Sequence, residues 1–215
     1  MMTIEMKLYT NLINFAFHYV IQTSKHFNID ESHALRHSME VYQFAKNIYD
    51  SQVELNPYLE PQKEIILCSA ILHDMCDKKY MNEKEGIDKM NLFMKDYIPP
   101  DKLNIINKII TTMSYSTVKK NGYPELGEYN IAYHIVREAD LLAAYDVERC
   151  IIYQMMCKND DYITSVLSAK YLFEQRIFQY LNDGLFTLEY SKRRAQLLHD
   201  QATEKMKDIY KINYG

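Results

Sequence analysis

The stretch EIILCSAILHDM, Glu64 to Met75, decides how the chain is read. It is apolar nearly all round, and a helix with no polar face has to be buried on every side. Its apolar run ends abruptly in His73 and Asp74, followed by Asp77, Lys78 and Lys79. A core helix that delivers an imidazole and a carboxylate to its carboxyl end predicts a polar site at the edge of a helical core.

The flanking sequence supports helices throughout. Upstream, Ile4, Leu8, Leu12, Phe15 and Tyr19 recur at the spacing of one helical face, predicting a packing helix from Thr3 to about Thr23. Asp30 is the expected N-cap of a second helix carrying Leu35, Met39, Tyr42 and Tyr49, with His33, Arg36, His37 and Glu40 on another side. Pro61 is placed at the first position of the third helix. Downstream, helices are expected over Glu83 to Tyr97 and Lys102 to Ser114, separated by Pro99-Pro100. Tyr115 to Glu128, with Lys119, Lys120, Gly122, Pro124 and Gly127, reads as the longest loop, a basic lid in one reading and a solvated loop in the other. One helix is expected from Tyr129 to about Met156, then Asp161 to Asn182, stopped by Gly184, and Thr187 to Ile212 with Thr187 as N-cap.

Composition agrees with a single all-α domain over residues 1–215, a bundle of seven to nine helices whose last two, within 160–212, pack on the same core. Gly and Pro number only five each, too few for a turn-rich sheet protein. A net charge of -4 offers no general attraction to nucleic acid polymers or anionic membranes, so clustered lysines matter more than the total. Cys68, Cys76, Cys150 and Cys157 form no CxxC pair, which argues against a zinc ribbon and a disulfide framework. The charged start, Glu5 and Lys7, and the lack of any run of about 18 apolar residues point to a cytoplasmic protein. No GxxxxGK[ST] loop is present, which removes the P-loop reading.

Four candidate ligands stand out: His33, His73, Asp74 and Asp140. Two imidazoles and two carboxylates suit one divalent ion, with Mn, Mg, Co, Ni, Fe or Zn all compatible. The ordered motifs DESHALRH (30–37), LHDMCDKKY (72–80) and READLLAAYDVER (137–149) resemble the HD-domain superfamily of metal-dependent phosphohydrolases, over about Glu31 to Arg149. With MSYS at 113–116, the pattern is most similar to small HD hydrolases that act on nucleotides. The resemblance implies an HD-type helical fold, metal held by His33, His73, Asp74 and Asp140, and a nucleotide substrate cleaved either as a triphosphate or as a monophosphate. A binding or regulatory module that keeps the metal without turnover is the alternative, and a homodimer is left open.

Asp77 stands where such enzymes often carry an acid handling the attacking water; its other reading is a turn cap. Lys79 and Arg36 are candidates to bind phosphate and stabilise its charge, and Lys119 and Lys120 to bind substrate. His37 replaces an apolar residue of the family pattern. It is read as a core or surface histidine ahead of a supporting group or an alternative ligand. Asp146 and Arg149 are expected to form a structural ion pair. His134 alone between Asp74 and Asp140 favours one metal over two.

Overall fold

The computed structural model describes the backbone of residues 4–214 and the side chains of residues 9–212, so the side chains of Ile4, Glu5, Lys7 and Leu8 lie outside the described residues. Within that range the chain is all-helical, with ten α-helices, three short 3-10 turns and no strand. They are α1 (Ile4–Phe27), α2 (Leu35–Val53), α3 (Lys63–Leu72), α4 (Glu83–Met94), α5 (Pro100–Thr112), α6 (Tyr115–Asn121), α7 (Asn130–Ala143), α8 (Val147–Cys157), α9 (Tyr162–Gln175) and α10 (Glu189–Tyr214). Among the described residues, no helix is long and apolar enough to cross a membrane.

The apolar helix is the centre of the core, as its composition requires. Every residue of α3 from Ile65 to Leu72 is buried, and α1, α2, α5 and α7 surround it. Its large aliphatic side chains are each worth roughly 1.5–3 kcal/mol of transfer free energy on burial. The partner that packs most closely with α2 is α7, and α3 comes next, so α2, α3 and α7 form the group from which the site is built. Helix α10 lies on α7, α2, α8 and α9. At its start the fully buried Glu138 of α7 accepts from the backbone N–H (2.7 Å) and the hydroxyl (2.6 Å) of Thr187, and from the N–H of Leu188 at 3.3 Å. Burial pushes this carboxyl up, against hydrogen bonds that pull it down. The hydroxyl of Thr187 is therefore spent on Glu138 and is not the expected cap.

Several boundaries differ from expectation, each for a local reason. Asp30 does not cap α2. Its side chain accepts from Ser32 N–H (2.9 Å), closing a turn, and the helix begins five residues later at Leu35. Pro61 lies inside a 3-10 turn, Pro57–Gln62, that precedes α3. The expected loop after Ser114 begins with the seven-residue α6. Ser114 Oγ accepts from Thr117 N–H (3.2 Å), and Gly122, at φ +75°, stops the helix in a conformation residues with a Cβ avoid. The long helix expected after Tyr129 breaks at Ala144–Tyr145. There Asp146 Oδ1 accepts from Arg149 N–H (3.1 Å) and starts α8. Continuous apolar spacing across the break hid it, although an Asp ahead of the second segment is the ordinary signature of a new N-terminus.

Candidate metal centre and its cavity

After Leu72 the chain tightens into i→i+3 turns, with Met75 N–H donating to Leu72 C=O at 2.9 Å, and this carries His73 and Asp74 round to face α2 and α7. His37, in the first turn of α2, points inward and is buried. Asp140 comes from the last turn of α7. Four atoms converge. His37 Nε2 lies 3.1 Å from His73 Nε2, 3.4 Å from Asp74 Oδ2 and 3.4 Å from Asp140 Oδ1. His73 Nε2 lies 3.3 Å from Asp74 Oδ2 and 3.6 Å from Asp140 Oδ1.

The donor set fits a metal ion. Ligands about 2.1 Å from a common centre are about 3.0 Å apart along an octahedral edge and about 3.4 Å along a tetrahedral one, close to the 3.1–3.6 Å between the histidine nitrogens and their neighbours here. Asp74 Oδ2 is buried without a hydrogen-bond partner, an orphaned acceptor that a cation would satisfy. His37, His73 and Asp74 form a group that could hold a metal ion, and Asp140 approaches it from the other side. His73 Nδ1 is 2.9 Å from the carbonyl of Ala70; a carbonyl only accepts, so Nδ1 carries the proton and Nε2 faces the centre.

Electrostatics favour the same assignment. Burial, reinforced by the Arg149 guanidinium, drops His37 to about 3, so its imidazole is neutral and ready to ligate. Burial also opposes charge on His73, but the carboxylates of Asp74 and Asp140 outweigh it and hold a proton there well above the usual histidine range. Both carboxyls are held far below the ordinary range despite burial, Asp74 mainly by the His73 charge and Asp140 by hydrogen bonds from His37 and His73. In the metal-free chain the positive charge at this centre is the His73 proton.

His33, the expected ligand, is outside the group. The turn closed by Asp30 leaves it ahead of α2, one helical turn from His37, with ring centroids 6.2 Å apart. Its Nδ1 lies 2.6 Å from Ser32 Oγ and 3.1 Å from Tyr80 Oη, and its Nε2 lies 3.3 Å from Lys79 Nζ. The Tyr80 hydroxyl donates to Asp30 Oδ2 (2.6 Å), which also accepts from the Cys157 thiol at 2.9 Å. Those bonds outweigh burial and lower Asp30 to about 2. All four cysteines are free thiols.

The centre opens into a cavity of about 400 Å³, within the size range of small-molecule sites. Asp77 and Lys79 line it as expected. Asp77 does two things at once: Oδ1 accepts from Lys79 N–H (2.8 Å), the turn-capping role, and Oδ2 pairs with Lys79 Nζ at 3.3 Å. Lys79 also lies 5.7 Å from the Tyr153 ring centroid, so it is held from three sides. Arg36, in contrast, points away from the cavity; its guanidinium is 66% exposed and donates to Asp146 Oδ2 at 3.0 Å. Lys119 and Lys120 are exposed on α6 rather than in a lid, and neither lines the cavity.

Two cations of the site, Arg149 and Arg176, are not site candidates in the sequence, and His37 is there only the lesser alternative to a core or surface histidine. Arg149 does not pair with Asp146. It donates to Ser32 C=O (3.2 Å) and places Nη1 3.1 Å from both ring nitrogens of His37, a position that favours neither lone pair. His37 is the alternative ligand of the sequence reading, and the structure buries it in the first turn of α2 with His73 and Asp74. Arg176, at the end of α9, lines the same cavity and has no local signal at all. Compared with known proteins, the chain matches no family model, no curated protein and no solved structure.

Proposed function

We propose that the chain is a metal-dependent phosphohydrolase acting on a nucleotide, with one divalent ion held by His37, His73, Asp74 and Asp140. The observation that carries this reading is a buried His37–His73–Asp74 group that could hold a metal ion, with Asp140 3.4–3.6 Å from both histidine nitrogens, beside a cavity lined by His73, Asp74, Asp140 and several cationic side chains. The resemblance to HD-domain phosphohydrolases supports it, with His37 taking the place first given to His33. Lining charge agrees as well. Lys78, Lys79, Arg149 and Arg176 face Asp74, Asp77, Asp140 and Glu83, so a divalent ion leaves an excess of positive charge for a phosphate dianion.

The ion would supply Lewis acidity and lower the pKa of a bound water toward ~7. The residues of the chain then have distinct tasks. Lys79 and Arg149 take charge developing on the non-bridging phosphate oxygens. Asp77 lines the cavity next to Lys79 and accepts the proton as water attacks phosphorus; the new P–O bond forms as the bond to the leaving oxygen breaks. His33, neutral because burial pushes its imidazole down, accepts from Lys79 and fixes the ammonium.

The test is a panel of nucleoside mono-, di- and triphosphates with protein reconstituted with each candidate divalent metal, assaying phosphate and pyrophosphate separately. Asp74→Ala should lose metal and turnover together. Asp77→Ala should keep metal and lose about 10²–10⁴ in rate. Bound metal with no turnover on any substrate would sink the hydrolase and leave a metal-binding regulatory module.

A further inference from the structure

We propose that Arg176, held by Tyr115 and Tyr180, forms a second phosphate-binding subsite in the cavity that Asp74 and Asp140 also line, so that the preferred substrate carries a phosphate chain and not a single phosphate. The inference rests on the phosphohydrolase reading for the class of ligand, while the subsite itself rests on geometry.

Arg176 is half-buried where α9 ends, and its guanidinium carbon stands 4.2 Å from the Tyr115 ring centroid. Its Nε donates to the Tyr180 hydroxyl at 2.9 Å. Tyr180 is itself buried, and its ring centroid lies 5.6 Å from that of Tyr115. One face of the guanidinium and one of its donors are thereby used to fix its position. Its two terminal nitrogens make no hydrogen bond and no ion pair among the described residues, and the residue lines the same cavity as Asp74 and Asp140.

A planar cation fixed in this way and left without an acid partner is built to receive an oxyanion. Its free fork of N–H groups matches two oxygens of one phosphate, and the loss of side-chain freedom has already been met in the free protein. A second positive charge stands on the same tyrosine. Lys119 Nζ lies 5.7 Å from the Tyr115 centroid, exposed and likewise without a carboxylate partner. Two cations around one ring favour an anion over a neutral nucleobase edge. The tyrosine rings are also too close together for a base to slot between them. The lysine expected to bind substrate through a loop thus stands beside this subsite on helix α6, through the tyrosine it shares with Arg176.

Binding is measured by titration calorimetry on the full metal-free chain with inorganic tripolyphosphate and with orthophosphate. Wild type should bind tripolyphosphate at least tenfold more tightly than Arg176→Gln, whereas orthophosphate affinity, set by Lys79 and Arg149, should change by less than threefold. Equal tripolyphosphate affinity in wild type and Arg176→Gln overturns the subsite, as does an equal loss for both ligands. Should Arg176→Gln fail to fold, Arg176→Lys retains charge and stem but not the fork. It should lose at least threefold for tripolyphosphate, and wild-type affinity in that variant counts against the proposal. The two readings fail separately. Arg176-dependent tripolyphosphate binding in a protein that hydrolyses nothing keeps the subsite and removes the hydrolase. Nucleoside triphosphate hydrolysis whose KM ignores Arg176→Gln does the reverse.

Discussion

Replacing His37 and His33 one at a time by alanine separates the two possible ligand sets, because only His37 has a ring nitrogen among the converging atoms. The readout is the rise in melting temperature on adding metal to each variant, and not the melting temperature itself. His37→Ala opens a cavity in a buried position, but that cost is present with and without metal and cancels in the difference. At a free metal concentration about 100-fold above Kd, binding adds about 2.7 kcal/mol. For a chain of 215 residues this corresponds to a rise of roughly 5–10 °C, at about 2–4 °C per kcal/mol. Losing a ligand should weaken binding at least as much as the ~100-fold known for groups that merely support ligands. The same metal concentration then adds only about 0.4 kcal/mol, a rise of about 1 °C. His37→Ala should therefore lose nearly all of the metal-dependent rise, and His33→Ala should keep it. A rise retained in His37→Ala and abolished in His33→Ala would refute the assignment and restore the ligand set expected from the sequence.

Two further outcomes follow from the same geometry. His73 carries a proton that Asp74 and Asp140 hold above the usual histidine range, and a metal at Nε2 must displace it, so affinity falls as pH falls. Calorimetric Kd values at pH 6 and pH 8 should differ by about tenfold to a hundredfold, tighter at pH 8, for one displaced proton; affinity flat across that range would mean His73 is not a ligand. Two residues before Asp140 on α7, Glu138→Ala removes an acceptor shared by three donors at the start of α10. With bonds to a charged acceptor worth about 1.5–3 kcal/mol each and Thr187 exposed enough for water to replace part of the loss, urea unfolding should show a cost of about 2–4 kcal/mol. Glu138→Gln, which keeps an acceptor oxygen, should cost less than half as much, and a loss below about 1 kcal/mol in the alanine variant would rule out the capping role.

What the sequence determined by itself is the part that depends on residues close together in the chain. An apolar run with no polar face has to be a central helix, and α3 is buried along its length with His73 and Asp74 at its end. The helical periodicity around Asp140 placed that carboxylate on a buried helix, and Asp77 and Lys79 followed His73 and Asp74 into the cavity because they share one tight turn. Tertiary structure decided what a single helical turn of register can change. The sequence favoured His33 over His37, four residues on, and the choice turned on Asp30, whose side chain closes a turn and delays the start of α2 to Leu35. The same placement sends Arg36 out to Asp146 and brings Arg149 from α8 onto His37 in its stead. Arg176 lies 102 residues beyond Asp74, and only the packing of α9 against α8 and of its 3-10 extension beside Tyr115 brings it into the same cavity. Periodicity reports which face of a helix is buried; where a helix starts, and which distant cation meets that face, is set by long-range packing that local spacing does not encode.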